Sequence, residues 1–353
     1  MEGFAMVTFR TLAITTAALG ALSLAGCGGA EDASRDQVRA VGSSTVYPFA
    51  KAVAEQLAKS DASLKSPIIE STGTGAGMKL FCAGVGPQHP DIADASRRMK
   101  KSEFDECVAN GVKDIAEIQV GLDGVAFAES KGGASLALTP QDVYKALAKA
   151  PYGQPNTAKT WHDVNPALPA DPILVYGPPS TSGTRDALKE LILAKGCDEN
   201  AAMKALKDSD KKKHDDICTQ VREDGAYVDA GENDNLIVQK IEANPKAIGI
   251  FGFSYVEENA DRIRGLTMSG VTPTYQTISD FSYPGARPLY IYVKKAHLKA
   301  IPGLQAYVTQ WSKLWGKDGV LAKLGMVVAP DAVLAQSTQA VSTMPSLDGS
   351  QLK

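Results

Sequence analysis

The sequence has almost no net charge and no concentration of one sign. Across 353 residues, 37 lysines and arginines stand against 40 acidic residues, a formal balance of −3. Nothing of global electrostatic origin draws a nucleic acid or an acidic membrane to the fold, and no basic stripe with interleaved aromatics appears. Any affinity for an anion must therefore come from local dipoles and a few arginines. Metal-binding patterns are equally scarce. No CxxC pair occurs, and the four histidines, His89, His162, His214 and His297, are scattered. The loops that hold nucleotides and the elbow that presents a catalytic serine are missing too. Gly73-Thr74-Gly75-Ala76-Gly77 matches neither the GxGxxG nor the GxxxxGK(S/T) spacing, GxSxG is absent, and Ser209-Asp210-Lys211-Lys212 meets the SxxK pattern only inside a charged run. Without a nucleophile–base pair, a metal or a cofactor loop, neither an enzyme nor a bound cofactor is expected.

Only one long hydrophobic run exists, from Leu12 to Ala25, and it is too short to span a bilayer comfortably. Arg10 precedes it and Leu24-Ala25-Gly26-Cys27 closes it, so it resembles a bacterial lipoprotein signal. Residues 1–26 then read as a signal peptide and Cys27 as the acylated N-terminus. Residues 27–37 become a flexible tether, which places the protein outside the cytoplasm and lipid-anchored to the membrane. Glu2 is out of place in such a leader, so translation starts at Met1 or Met6. Setting Cys27 aside leaves Cys82, Cys107, Cys197 and Cys218, an even number in an oxidising compartment. Of the three pairings, Cys82–Cys107 and Cys197–Cys218 are favoured, because each closes a local loop of a few tens of residues. Such a loop is worth about 3 kcal/mol on the chain-entropy view.

With 44% hydrophobic and 22% charged residues, the chain can bury a sizeable core and divides into two domains. Short β-rich runs begin at Val38 and recur at 68–69, 115–120, 125–128, 173–176, 247–251 and 289–293. Helical patterns lie between them at 49–59, 103–110, 140–149, 182–195, 234–243 and 303–315. This alternation signals an α/β protein with largely parallel sheets, whose ligands sit at the carboxyl ends of strands. The run Lys207 to Asp216 reads as a solvated surface segment. Residues 337–353 read as a loosely attached polar tail.

Three strand-to-helix junctions share one chemistry. Gly42-Ser43-Ser44-Thr45-Val46-Tyr47-Pro48, Ser71-Thr72-Gly73-Thr74-Gly75-Ala76-Gly77 and Gly177-Pro178-Pro179-Ser180-Thr181-Ser182-Gly183-Thr184-Arg185-Asp186 each place small hydroxyls and glycine before an apolar-periodic run. Glycine lets the backbone come close, the hydroxyls cap the helix, and first-turn amides point outward with the positive end of the dipole behind them. A single junction of this kind is an ordinary helix cap. Three together point to a shared anion site.

GSSTVYPFA at 42–50, STGTGAG at 71–77, DIADASR at 91–97, GPPSTSGTRD at 177–186, GENDNLI at 231–237 and RPLYIYVKKAH at 287–297 occur in one order. From Val38 to Ala329 this pattern resembles the phosphate-binding proteins of bacterial ABC importers. The resemblance implies a two-lobed periplasmic-binding-protein (type II) fold, each lobe a mainly parallel sheet flanked by helices. Lobe I would span 38–126 plus 287–336 and lobe II 127–286, with crossovers near 124–128 and 285–291. It further implies a monomeric receptor that closes on inorganic phosphate and delivers it to a membrane permease. The family's roles fall on Ser44, Thr45 and Val46, on Thr74, and on Ser182, Gly183 and Thr184, with Ser43 and Ser96 beside them. Pro178 stands where a familiar form has an arginine, so the charge is expected from Arg97 or, second, Arg185. At neutral pH phosphate keeps a proton that sulfate lacks, and a carboxylate can read it. The family's aspartate position is occupied by Arg97, which leaves Asp123 or Asp94 for that task. Asn233, in the cluster Glu232-Asn233-Asp234-Asn235, is a second-lobe contact or part of a helix cap. A receptor for another oxyanion such as sulfate or molybdate, or a phosphate-ester enzyme, remains the rival reading.

Overall fold

A computed structural model describes residues 35–180, 182–231 and 234–352. Strands β1 (Arg39–Gly42), β2 (Ile68–Ser71), β3 (Ile92–Ala95) and β4 (Ile115–Ser130) come first. They are followed by β5 (Ala137–Leu138), β6 (Val175–Gly177), β7 (Tyr227–Asp229), β8 (Ile248–Gly252), β9 (Ile263–Gly265), β10 (Thr267–Met268) and β11 (Ala286–Lys294). The main sheet runs β2-β1-β3-β11-β4-β8-β6-β7, with β9 added on β4, and β5 pairs β10 separately. All four residues of β3 are buried, as befits a strand covered by helices on both faces.

In the main sheet the parallel pairs are β1 with β2 and β3, and β6 with β7 and β8; the separate β5–β10 pair is parallel too. Between these two parallel cores, β11 and β4 run antiparallel to their neighbours. The sixteen residues of β4 serve both halves: Ile115 to Gly124 pair with β11, and Val125 to Ala128 pair with β8. The runs expected separately at 115–120 and 125–128 are thus one strand that leaves one half and enters the other. A separate apolar core backs each half. One contains Phe127, Trp161, Ile192 and Phe251, and the other contains Val53, Ile118, Tyr307 and Trp311.

The helices follow local signals. Helix Tyr47–Ser60 has proline in its first turn and buries Phe49, Ala50, Val53, Ala54 and Leu57, one face at helical spacing. The helix expected at 182–195 begins as Gly183–Ala187, widens to π geometry over Leu188–Leu193 and ends as Ala194–Asp198. Both expected disulfides, Cys82–Cys107 and Cys197–Cys218, are formed.

The charged run at 207–216 lies at the surface as expected, all but His214 being exposed or partly exposed, and it is helical: Ala201–Ser209 and Lys211–Cys218 are separated at Asp210, whose carboxylate caps the second helix by accepting from Lys213 N at 3.0 Å. One expectation needs correction. The polar tail at 337–353 is held down. Helix Asp331–Thr343 buries Ser337 and Val341, Leu347 N donates to Ile115 O at 2.7 Å, and buried Leu352 packs in the cluster around Cys82 and Cys107. A few well-spaced apolar residues and one backbone pairing suffice to anchor it, which average polarity conceals. The signal peptide at 1–26, Cys27 and most of the tether at 27–37 lie outside the described residues. Among the described residues no helix is long and apolar enough to cross a membrane.

Candidate functional site

The first junction is shaped by Gly42. Its φ of +144° suits glycine, and a Cβ there would lie 2.1 Å from Asp94 O. The chain then turns so that Ser43 N donates to Asp94 O at 2.9 Å. Ser43 Oγ accepts from Thr45 N and Val46 N at 3.2 and 3.4 Å, so the serine itself occupies the two amides of the turn just ahead of the helix. This leaves the hydroxyls of Ser44 and Thr45 facing the opposite half of the molecule. At the second junction, Gly73 has φ +79°, and a Cβ on Gly77 would lie 2.5 Å from Gly42 Cα. Close packing of the two loops therefore requires glycine. Thr74 is buried and pairs with Ser96, its Oγ1 accepting from Ser96 N at 3.2 Å and lying 3.1 Å from Ser96 Oγ.

The third junction approaches from the other half. Ser182 Oγ accepts from Thr184 N at 3.2 Å, capping the helix that starts at Gly183. A Cβ on Gly183 would sit 2.4 Å from Thr45 Cα, so the two halves touch here backbone to backbone. Thr45 Oγ1 donates to Gly183 O at 3.2 Å, and Ser44 Oγ donates to the Asp186 carboxylate. The cleft between the halves has a volume of about 610 Å3, and Ser44, Thr45, Asp123, Ser182, Gly183 and Thr184 all line it. Tyr47, Asp234, Tyr255, Glu258 and Lys323 add to its walls.

Neither arginine nominated from the sequence lines that cleft. Arg97 is held by Glu103 through two hydrogen bonds of 2.9 and 2.6 Å. Arg185 lies 4.0 Å above the Tyr227 ring and donates to Pro178 O at 3.4 Å. The cation at the meeting point is Arg287, at the start of β11 and 3% exposed. Its Nη2 donates to Thr45 Oγ1 at 2.5 Å and to Gly183 O at 3.4 Å, its Nε to Asp123 at 3.0 Å, and its Nη1 to Glu190 at 3.0 Å. One guanidinium thus joins both halves and the crossing strand.

The two carboxylates nominated as proton readers differ in setting. Asp123 lines the cleft beside Arg287. Asp94 is fully buried away from it, its Oδ1 has no partner, and burial alone pushes its pKa up to about 8. At neutral pH Asp94 is therefore mostly protonated, which leaves it little capacity to accept another group's proton. Asn233 and Glu232 lie outside the described residues. Sequence reasoning missed Arg287, Asp186 and Glu190. The local hint of the first was RPLYIYVKKAH, where an arginine opens a β-rich run; once a cation is buried in a sheet it must be paired.

The family model described as "PBP superfamily domain" matches residues 28–310. The chain belongs to the PBP superfamily. Within that superfamily of binding proteins, it is 31% identical over 315 residues to "Protein SphX" of Synechococcus elongatus, covering 87% of this chain and 82% of the relative. It is 32% identical over 305 residues to "Phosphate-binding protein PstS" of Staphylococcus saprophyticus, covering 83% and 82%. The solved structure of "a possible phosphate binding protein from Planctomyces limnophilus" superposes with a TM-score of 0.69 at 27% identity, covering 87% of this chain and 97% of that one. The two halves around Arg287 are accordingly the two lobes of a PBP-superfamily receptor.

Proposed function

We propose that this PBP-superfamily protein is an extracytoplasmic receptor that binds inorganic phosphate between its lobes and delivers it to an ABC-type importer. The observation carrying this reading is the convergence of Ser44 and Thr45 from one lobe with Ser182, Gly183 and Thr184 from the other around the buried guanidinium of Arg287. Hydroxyl and amide donors on two helix starts, with one fixed cation, replace the water shell of a small tetrahedral anion without any bulk positive charge. The relatives named "Phosphate-binding protein PstS" and the solved structure called a possible phosphate binding protein support phosphate as that anion.

Thr74 and Ser96 tie the second loop to the end of β3 through their mutual hydrogen bonds, behind the anion's first-lobe donors. Asp123, in the cleft, reads the phosphate proton, whereas Arg97, Arg185 and Asp94 shape the surroundings. Lobe I comprises 38–126 plus 287–336, and lobe II comprises 127–286. Acylation of Cys27 tethers a monomer to the membrane beside its permease. Closure follows the hinge logic of such receptors, with the crossing strands bending and the loaded form recognised.

Calorimetric titration of the dialysed protein with phosphate, sulfate and arsenate tests the reading. Saturable one-to-one heat is expected with phosphate, and weaker or no heat with sulfate. Silence with phosphate would defeat it, and preference for sulfate would assign the cleft to another oxyanion.

A further inference from the structure

The two hydroxyls that lobe I brings to the cleft already have acceptors for their protons on lobe II. Ser44 Oγ donates to the Asp186 carboxylate, and Thr45 Oγ1 donates to Gly183 O at 3.2 Å while accepting from Arg287 Nη2 at 2.5 Å. A hydroxyl has one proton and two lone pairs, so a serine whose proton is committed to a carboxylate meets a further group only as an acceptor. Asp186 lies on the short helix Gly183–Ala187 that Ser182 caps, and so is carried into the cleft by the lobe that contributes the Ser-Gly-Thr triplet.

The charges around this pair are mostly acidic. The described lining of the cleft includes Asp123, Asp234 and Glu258 against one lysine, Lys323. Arg287 brings a cation to the meeting point, yet Asp123 and Glu190 already pair with it. On the helical stretch that carries Asp186, Lys189 stays 3.9 Å from the carboxylate and Arg185 is turned onto Tyr227. Across from it, Arg97 pairs with Glu103 and also feels Glu190. An anion entering here sheds its water among more carboxylates than cations, so every proton it keeps lowers the repulsion it meets.

Resting on the phosphate reading above, we infer that Asp186 is a positioning residue that sets the charge state of the ligand: through Ser44 it selects monobasic phosphate, the form with two protons. Asp123 takes one of these, and Ser44 Oγ accepts the other while its own proton stays directed at Asp186. Dibasic phosphate has only the proton that Asp123 reads. Its remaining oxygens would meet the Ser44 lone pairs with the Asp186 charge behind them, a desolvated contact with no hydrogen between the atoms.

Calorimetric titration of the dialysed protein with phosphate, repeated in buffers of different ionisation enthalpy, counts the protons taken up with each anion. Above the second ionisation of phosphate the parent is expected to take up about one proton per anion, and its affinity for total phosphate to fall about tenfold per unit of pH, as the competent fraction shrinks. Asp186→Asn presents an amide that can donate to Ser44 Oγ and frees the serine proton for the anion, so the uptake should vanish and the pH profile flatten. Asp186→Glu, which keeps a carboxylate on the same stretch, is expected to retain the uptake. Thermal melting at each pH follows the fold. Saturable phosphate heat without proton uptake in the parent, or uptake unchanged in Asp186→Asn, would overturn the inference and leave phosphate binding standing. Absence of phosphate heat at every pH would instead defeat the phosphate reading, and this inference with it.

Discussion

Replacing Arg287 with methionine removes the buried cation that joins Thr45 of one lobe to Gly183 of the other while preserving much of the side chain's volume. The Arg287–Asp123 pair lies at 3.0 Å, with side-chain exposures of 3% and 15%. At an effective dielectric of about 20 this separation corresponds to roughly 5–6 kcal/mol of gross attraction. Desolvation of both charges offsets much of that, yet deleting only one partner leaves Asp123 uncompensated, which in buried pairs costs about 3–5 kcal/mol. Glu190 adds little, because its side chain is 54% exposed and solvent screens it. At roughly 2 °C per kcal/mol for a chain of this size, Arg287→Met should lower Tm by about 6–10 °C. Adding Asp123→Asn should restore most of that stability by removing the stranded charge. Phosphate binding behaves differently, since the anion needs the cation itself. Both the single and the double variant should bind phosphate at least about 100-fold more weakly, a loss of roughly 2.7 kcal/mol. Thermal melting and calorimetry on the four proteins of the cycle separate the two effects. A double variant that regained both stability and affinity, or an Arg287→Met protein within threefold of the parent in Kd, would refute the assignment of Arg287 to the ligand.

Two further outcomes are expected. Gly183→Ala puts a Cβ 2.4 Å from Thr45 Cα at the point where the lobes meet, while alanine suits the first turn of a helix better than glycine does. The clash with the Thr45 backbone outweighs that gain, so Tm should fall and phosphate affinity should fall more than about tenfold by calorimetry, and unchanged affinity would show that the lobes do not close at this contact. Asp94 has a folded pKa raised above that of the unfolded chain, so the folded state keeps its proton longer and stability falls as pH rises between about 4 and 8. Asp94→Asn should remove that slope and stabilise the protein near pH 7 by a few kcal/mol, as read from urea unfolding at several pH values, and parallel pH profiles for the two proteins would contradict the buried, protonated acid.

What was legible in the sequence was encoded within short stretches of chain. Glycines at Gly42, Gly73 and Gly183, the hydroxyls beside them and the apolar spacing after them all act within one turn of a helix, so the three junctions could be read directly. Both disulfides close loops of 25 and 21 residues, short enough for proximity to select the pairing. Average polarity misled at the C-terminus, where Val341, Leu347 and Leu352 secure an otherwise polar segment; the charged run is solvated as its polarity suggests, with His214 alone turned inward.

The sequence by itself determined that strands would hand over to helices through anion-compatible turns, because backbone conformation and capping are settled by neighbours a few residues away. Tertiary structure alone decided which charges meet there. Arg287 joins Asp123, Glu190 and Thr45 across separations of 97 to 242 residues, whereas Arg97 and Arg185 are drawn off to Glu103 and Tyr227. A guanidinium reaches several partners and settles where desolvation is best repaid. That choice depends on the whole packing of sheet and helices, which no local pattern contains.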